Sequence, residues 1–214
     1  MIMLSPVPLV SVAAIDDDLV VLDLRSDAYF CLPDLALHLV ETADGRWAPS
    51  SDAVAEGLLQ TGLFQREPAC PRFSPPPPSR SSRTAIDLGS GLVSKASLLK
   101  SIATETWRVN GRSVRELIAR SPSLPLRLEE GDAAMAEAQL FDRWCVWIPG
   151  QGQCLYRAYL LRAHLASMGH GATWVFGVRT WPFSAHCWLQ IGDILLDDDL
   201  DRVGLYTPIL AVSA

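Results

Sequence analysis

No stretch of the sequence reaches 18 consecutive apolar residues, which excludes an ordinary membrane-spanning helix. Metal signatures are missing too. There is no C-x-x-C and no H-E-x-x-H, and His164 and His170 fall on a helix and its exit turn rather than at ligand spacing. Phosphate-binding glycine motifs are absent, because residues 150–154 (GQGQC) and 89–91 (GSG) lack the strand–loop–helix setting and the lysine. Basic charge is scarce, with 18 Lys and Arg against 24 Asp and Glu, a net charge of −6. That leaves no basic face to neutralise nucleic-acid phosphates. Five cysteines, an odd number with no repeated spacing, make no disulfide framework and fit free thiols in a reducing cytoplasm. The first 18 residues are apolar, yet no Lys or Arg precedes the run, two prolines interrupt it and three aspartates follow. They do not make a signal peptide. Internal repeats are absent.

What remains is a chain of 214 residues, 49% hydrophobic, long enough to bury a core without disulfide or metal staples. Its charge is uneven: −7 over residues 1–73, +3 over 74–110 and −2 over 111–214. The clearest boundary is residues 74–83, SPPPPSRSSR. Four prolines favour an extended polyproline conformation, and the Ser/Arg run after them has nothing to bury, so the segment reads as a semi-rigid linker. It separates an N-terminal domain (1–73) from a C-terminal one (84–214).

Before the linker, residues 19–25 (LVVLDLR) and 28–32 (AYFCL) predict two strands joined by a tight Ser26-Asp27 turn. Pro33 can open a helix over residues 34–42 with Leu35 and Leu39 inward. Ser50 or Ser51 caps a second helix that runs to about Thr61, with Val54, Leu58 and Leu59 on its apolar side, and Gly62 ends it. Winged-helix DNA readers share this outline, but a charge of −7 rules against DNA.

After the linker the spacing predicts helices over residues 94–109, 113–119, 131–146 and 154–168. Ser113 and Glu116 form a capping box, and Gly169 and Gly171 end the last helix. Three strands follow, over 173–178, 185–191 and 194–198, with Gly192-Asp193 at the tip of the final hairpin. The fold class is therefore α+β: a small winged-helix-like domain, then helices packed on an antiparallel sheet.

The chemistry concentrates after residue 150. Cys154 opens its helix, where unpaired amides and the dipole favour thiolate over thiol, and a small polar loop (149–153) precedes it. Cys145, between Trp144 and Val146, reads as core; Cys31 and Cys70 have no histidine nearby in sequence. In the strand AHCWLQI, His186, Trp188 and Gln190 share one face and Cys187 and Leu189 the other. The next strand supplies the acid. A three-residue turn at 191–193 puts Asp198 opposite His186, whereas a two-residue turn at Gly192-Asp193 selects Asp199, with Asp197 on the diagonal. A cysteine at a helix start, a histidine and an orienting carboxylate are the parts of an acyl-transfer triad. The amide of Cys154, with the side chain of Gln151 or Gln153, would stabilise the oxyanion.

Residues 154–198 resemble the catalytic core of lasso-peptide leader peptidases, the B proteins of lasso biosynthesis. The matching elements are Cys154-Leu155 with Arg157-Ala158, Gly177-Val178, and Phe183-x-Ala185-His186-x-Trp188. The resemblance implies a transglutaminase-like (papain-like) fold and a triad of Cys154, His186 and Asp198. Where that family usually has a small residue, often Ala, this chain has Cys187, whose strand parity points away from His186. The N-terminal domain is similar, through Val21-Leu22-Asp23-Leu24 and Ala28-Tyr29-Phe30, to the precursor-recognition element fused to many of these peptidases. There a leader peptide adds as an extra strand beside a helix. Carried over, Tyr29, Phe30, Cys31 and Leu32 would form the receiving edge and Val54 and Leu58 the helix face.

The resemblance thus implies a cytoplasmic, metal-free cysteine peptidase that binds a lasso precursor by its leader and hydrolyses the leader–core bond. The freed amine would pass to an asparagine-synthetase-like cyclase. No cofactor is implied, and peptidase chemistry itself requires no ATP. Two other readings stay open: a transglutaminase-like amidase or acyltransferase on another substrate, and a non-catalytic leader-binding adaptor for a cyclase.

Overall fold

The computed structural model of the chain describes residues 2–68, 73–84, 92–109, 111–145 and 154–213. The chain divides into two compact units. The first is Met1–Phe73 with Val178–Ser184 and Thr207–Ile209; the second is Ser74–Gly177 with Ala185–Tyr206 and Leu210–Ala214.

The first unit is built on a three-stranded antiparallel sheet, β2 (Val10–Ile15), β3 (Asp18–Asp23) and β4 (Ala28–Leu32), in that order. The apolar N-terminal stretch supplies β2, and Asp16-Asp17 forms the two-residue turn into β3, with Asp16 at φ 51°. Aspartate tolerates that left-handed geometry better than most side chains, which is why a strand can precede this acidic run. β3 is buried along its whole length, and its Leu19 and Val21 enter a core with Val10, Val12, Leu39, Trp47, Ala55, Leu58 and Phe64. Two small pairings, β1 (Ser5–Pro6) with β7 (Phe64–Gln65) and β5 (Leu39–Glu41) with β6 (Trp47–Pro49), and the helix α1 (Asp52–Gln60) close that core. Ser51 caps α1 by accepting the Val54 N–H.

The helix expected over 34–42 is corrected. Asp34 adopts φ 59°, so Pro33 cannot feed directly into an α-helix; a single 3-10 turn, Leu35–His38, is followed by extended chain at Leu39. The winged-helix outline leaned on that helix. Among the described residues the unit has one α-helix and two small antiparallel pairings in its place.

The second unit packs the helices α2 (Leu92–Val109), α3 (Val114–Arg120), α4 (Gly131–Cys145), α5 (Cys154–Ser167) and α6 (Leu200–Val203) with a five-stranded sheet. Its strands β8 (Arg80–Ser81), β9 (Thr173–Arg179), β10 (Ser184–Ile191), β11 (Ile194–Leu195) and β12 (Thr207–Val212) lie in the order β12-β9-β10-β11-β8. The expected capping box forms: Ser113 Oγ accepts the Glu116 N–H while Glu116 accepts the Ser113 N–H. α5 is the central helix. It packs against α2 and α4, and residues 158–165 are buried without a polar stripe. Its apolar members Leu161 and Leu165 each contribute about 1.5–3 kcal/mol on burial. Even its one histidine is absorbed, His164 Nε2 meeting Glu137 Oε2 of α4 at 2.8 Å. Gly177 on β9 is required by a close approach: a Cβ there would stand 2.6 Å from the Trp188 ring on β10.

The reading of residues 74–83 is corrected at its second half. The Ser/Arg run does have something to bury: β8 pairs with β11 in parallel, and Ser81 and Ser82 are 2% and 1% exposed. The expected antiparallel sheet is therefore mixed. Neither β8 nor β12 carries the long alternation that marks a strand in sequence.

Candidate active site

In the second unit the site is supplied by a helix, a strand and the segment between β11 and α6. Cys154 is the first residue of α5, its side chain half-buried at the helix start. His186 sits near the beginning of β10. The hairpin after β10 turns at Gly192-Asp193, with Gly192 at φ 57° and Gln190↔Leu195 and Ile191↔Ile194 in register. This is the two-residue turn, whose extrapolated register would set Asp199 against His186. The acid that meets His186 is instead Asp198, and Oδ2 of Asp198 is hydrogen-bonded to His186 Nε2.

The reason is that the ladder stops early. β11 is only two residues long, and after Leu196 donates to the Leu189 carbonyl at 2.9 Å a side chain takes over. Asp197 Oδ1 accepts the Leu189 N–H at 2.8 Å, which turns the chain out of the sheet and frees Asp198 to reach the histidine. Asp199 is exposed, stands at the start of α6 and pairs with Arg83 at 2.9 Å. Turn parity therefore does not select the acid; termination of the strand does.

The electrostatics of the three groups are coupled. Nε2 of His186 is engaged by Asp198, and the ring also interacts with the Cys154 thiol. Hydrogen bonds from the Cys187 side chain, opposed by burial and reinforced by His186 and by the Cys187 backbone N–H, hold the Cys154 thiol down at about 4. Burial works against a charged His186, but its bonds to Asp198 and Cys154 outweigh it and lift the imidazole to about 10. Burial likewise raises Asp198, and the His186 bond with the Asp199 N–H overrides it, leaving the carboxyl below the usual range. A thiolate facing an imidazolium is the resting charge state that this geometry favours. Tyr206 and Trp188 flank the imidazole at ring-centroid distances of 5.2 and 6.3 Å. Trp188 is fully buried and donates to Gln190 Oε1, so it packs the site.

Behind the acid lies a network of charges. Arg83 reaches Asp142 at 3.2 Å, Asp199 at 2.9 Å and Asp198 Oδ1 at 3.7 Å, and Arg202 approaches the same Asp198 oxygen at 3.6 Å. Arg157 pairs with Asp142 and donates to Cys145 Sγ at 3.2 Å. Burial pushes the Asp142 carboxyl and the Cys145 thiol up despite these cations. Asp197, which has only backbone for a donor, is raised by burial to about 7. Ser81 Oγ donates to the Asp198 carbonyl at 2.8 Å and Ser82 Oγ to the Leu196 carbonyl at 2.5 Å, tying the acid-bearing segment to β8.

Apart from Arg202, four residues after Asp198, these supporting residues form no local motif. Arg83 meets its partners 59 to 116 positions away, so no spacing rule could have found it. Cys187, which strand parity was expected to point away from His186, is buried at 3% exposure, and it contributes to holding the Cys154 thiol low. Cys145 is buried, as expected for a core thiol. Gln151 and Gln153, the oxyanion candidates, lie outside the described residues. Among the described residues no group of three His, Cys, Asp or Glu is placed to hold a metal ion, and no helix is long and apolar enough to cross a membrane.

The candidate leader-binding residues lie in the first unit. β4 is the terminal strand of its sheet, with Phe30 41% exposed and Cys31 exposed, while Tyr29 and Leu32 are partly covered. The Tyr29 ring lies 5.8 Å from that of Phe183 in the same unit. Val54 is partly buried against the core. Leu58 is corrected: at 3% exposure it belongs to the core and offers no surface to a peptide, because it sits on the inward stripe of α1 with Ala55.

Comparison with known proteins gives one positive result. No curated protein and no solved structure matches the chain. The family model described as the transglutaminase-like superfamily matches residues 97–211, more than half of the chain, a span that takes in Cys154, His186 and Asp198. Members of that superfamily are usually cysteine-based hydrolases or transferases. The match begins inside α2 and leaves β8 and nearly all of the first unit outside it. Through that match the chain belongs to the transglutaminase-like superfamily.

Proposed function

We propose that the protein is a cysteine peptidase that removes the leader from a ribosomally made lasso precursor, with Cys154 as nucleophile, His186 as acid–base and Asp198 as the orienting carboxylate. One observation carries this reading: Cys154 opens α5 with its thiol held low by Cys187 and by His186, and Nε2 of that histidine is bonded to the buried Asp198 carboxylate. The Cys154 thiolate attacks the scissile carbonyl carbon, and the Cys154 N–H at the start of α5 stabilises the oxyanion. His186 gives its proton to the departing amine, leaving an acyl-thioester. The neutral imidazole then takes a proton from water, hydroxide displaces the sulfur, and the thiolate–imidazolium pair is restored. No step consumes ATP.

The first unit supports the substrate half of the reading. A terminal strand with an exposed Phe30 can accept an extended peptide by backbone pairing, and the −7 charge of residues 1–73 favours a leader with basic residues. The product amine would go to an asparagine-synthetase-like cyclase in the cytoplasm. The test is cleavage of purified precursor by the full chain. Cys154→Ala should reduce turnover by about 10⁴-fold or more while leader binding, measured by fluorescence anisotropy, stays unchanged. Wild-type turnover in that variant would refute the nucleophile assignment. The amidase or acyltransferase alternative, supported by the superfamily match alone, predicts transfer to an added amine and no preference for the precursor.

A further inference from the structure

Asp198 uses only one of its two oxygens on His186. Oδ2 is bonded to Nε2, while Oδ1 accepts the Asp199 N–H at 2.8 Å and faces two guanidinium groups, Arg83 Nη1 at 3.7 Å and Arg202 Nε at 3.6 Å. Rotation about the last bond of an aspartate is soft and exchanges the two oxygens. What holds Oδ1 therefore decides how steadily Oδ2 stays on the imidazole. The two cations differ in how firmly they are placed. Arg202 stands on the short helix α6 with its side chain 60% exposed, so water and salt screen it. The Arg83 side chain is 29% exposed, and its backbone is fastened to the sheet. Ser81 Oγ accepts the Arg83 N–H at 3.2 Å, the Ser82 N–H donates to the Leu195 carbonyl at 2.8 Å, and Gln139 Nε2 donates to the Ser82 carbonyl at 3.0 Å. Its guanidinium is fixed at both edges, Nε to Asp142 of α4 at 3.2 Å and Nη1 to Asp199 at 2.9 Å. One planar group thus bridges α4 to the segment that carries the acid, and it engages the neighbouring carboxylate of Asp199 as well.

We propose that Arg83 is a positioning residue for the triad: anchored on Asp142, its guanidinium steadies Oδ1 of Asp198 and occupies Asp199, so that Oδ2 stays on His186. This rests on the reading of Asp198 as the triad's acid. It brings into the site a residue that lies outside the superfamily match and directly after the proline-rich segment. An arginine that merely braced β8 against α4 would have the same effect whatever side chain stood at 198, whereas a positioning residue acts only through the carboxylate.

The experiment is a double-mutant cycle read as the rate of iodoacetamide alkylation of Cys154 in the freshly reduced full chain, followed by peptide mass spectrometry at about pH 6, where an ordinary thiol is nearly inert. Alkylation there requires the thiolate, and the thiolate requires the imidazolium that Asp198 stabilises. Asp198→Asn should slow it about tenfold, Arg83→Met about fivefold, and the double variant no more than Asp198→Asn alone. Arg202→Met, at a screened cation, should slow it by less than about twofold. Equal fractional losses from Arg83→Met in the two backgrounds would assign the residue to bracing and overturn the proposal. An unchanged rate in Arg83→Met, or a larger loss at Arg202, would overturn it too. Should a thermal melt show that Arg83→Met does not fold, Arg83→Lys supplies the same comparison. Its single ammonium cannot span Asp142 and Asp199 together, so a loss of about twofold is expected only where Asp198 is intact. An Asp198→Asn rate equal to wild type, or a wild type as slow as an ordinary thiol, would instead defeat the reading of the triad itself.

Discussion

In the N-terminal unit the buried carboxylates are satisfied singly: Asp23 takes both an N–H and the guanidinium of Arg25 two residues on, and Asp18 takes the Asp34 N–H and the Trp181 indole. In the C-terminal unit ionisable groups are chained from the buried site out to the surface. Cys154 is linked to His186, His186 to Asp198, Asp198 to Arg83, Arg83 to Asp142 and Asp142 to Arg157. The first pattern only pays desolvation locally and perturbs little beyond it. The second shifts groups in both directions, with a thiol near 4 beside an imidazole near 10, and such opposed shifts are what acid–base and nucleophilic chemistry need. One unit is organised for shape and the other for charge.

The sharpest break of that contrast is Asp198→Asn. It preserves the shape but removes the charge that stabilises the imidazolium, so turnover of precursor should fall by roughly 10²- to 10⁴-fold. The pH profile gives a second readout. In wild type, activity requires the thiolate, formed above about pH 4, and the imidazolium, lost above about pH 10, so the rate falls at both ends. Asp198 raises the histidine, so its removal should draw the basic limb to lower pH. Asp199→Asn, at an exposed carboxylate held by Arg83, should change turnover by less than tenfold. Equal losses at Asp198 and Asp199 would mean that the ladder termination described above does not select the acid.

Leu58→Ala tests the other side. Its side chain is committed to the first unit's core, and its truncation should cost about 2–5 kcal/mol there, lowering the first thermal transition. Leader binding should weaken with it, while alkylation of Cys154 keeps its wild-type rate. A parallel loss of Cys154 reactivity would show that the chemistry is not held by the C-terminal unit alone.

The C-terminal half was the more legible in sequence because its signals are local and periodic. The capping box at Ser113, the helix opening at Cys154 and the β10–β11 turn at Gly192-Asp193 are each set by residues within a few positions. What eluded reading is what depends on distant partners or on geometry that spacing does not encode. The 34–42 segment has helical spacing, yet the left-handed Asp34 and the Leu39–Pro49 pairing make it a turn and a strand. Choosing among Asp197, Asp198 and Asp199 required knowing that a side chain replaces the backbone at Leu189. The polar 79–83 segment offered no hydrophobic signal, because its burial is paid for by serine hydroxyls that find carbonyls more than a hundred residues away.

That last feature yields the smallest and most discriminating effect. Ser81 Oγ donates to the Asp198 carbonyl and accepts the Arg83 N–H, so Ser81→Ala leaves a buried carbonyl and an N–H without this partner. The expected cost is about 1–3 kcal/mol, or a fall in Tm of several degrees for a chain of this length. If the strand only braces the sheet, turnover at a temperature well below Tm should be that of wild type. If it also holds the acid in place, the backbone of Asp198 gains freedom, the carboxylate spends less time on His186 Nε2, and kcat should drop a few-fold with KM unchanged. Ser82→Ala, which releases Leu196 rather than the acid, controls for bracing alone. A kcat loss at Ser81 without one at Ser82 would extend the charge-organised region to a segment that lies outside the superfamily match.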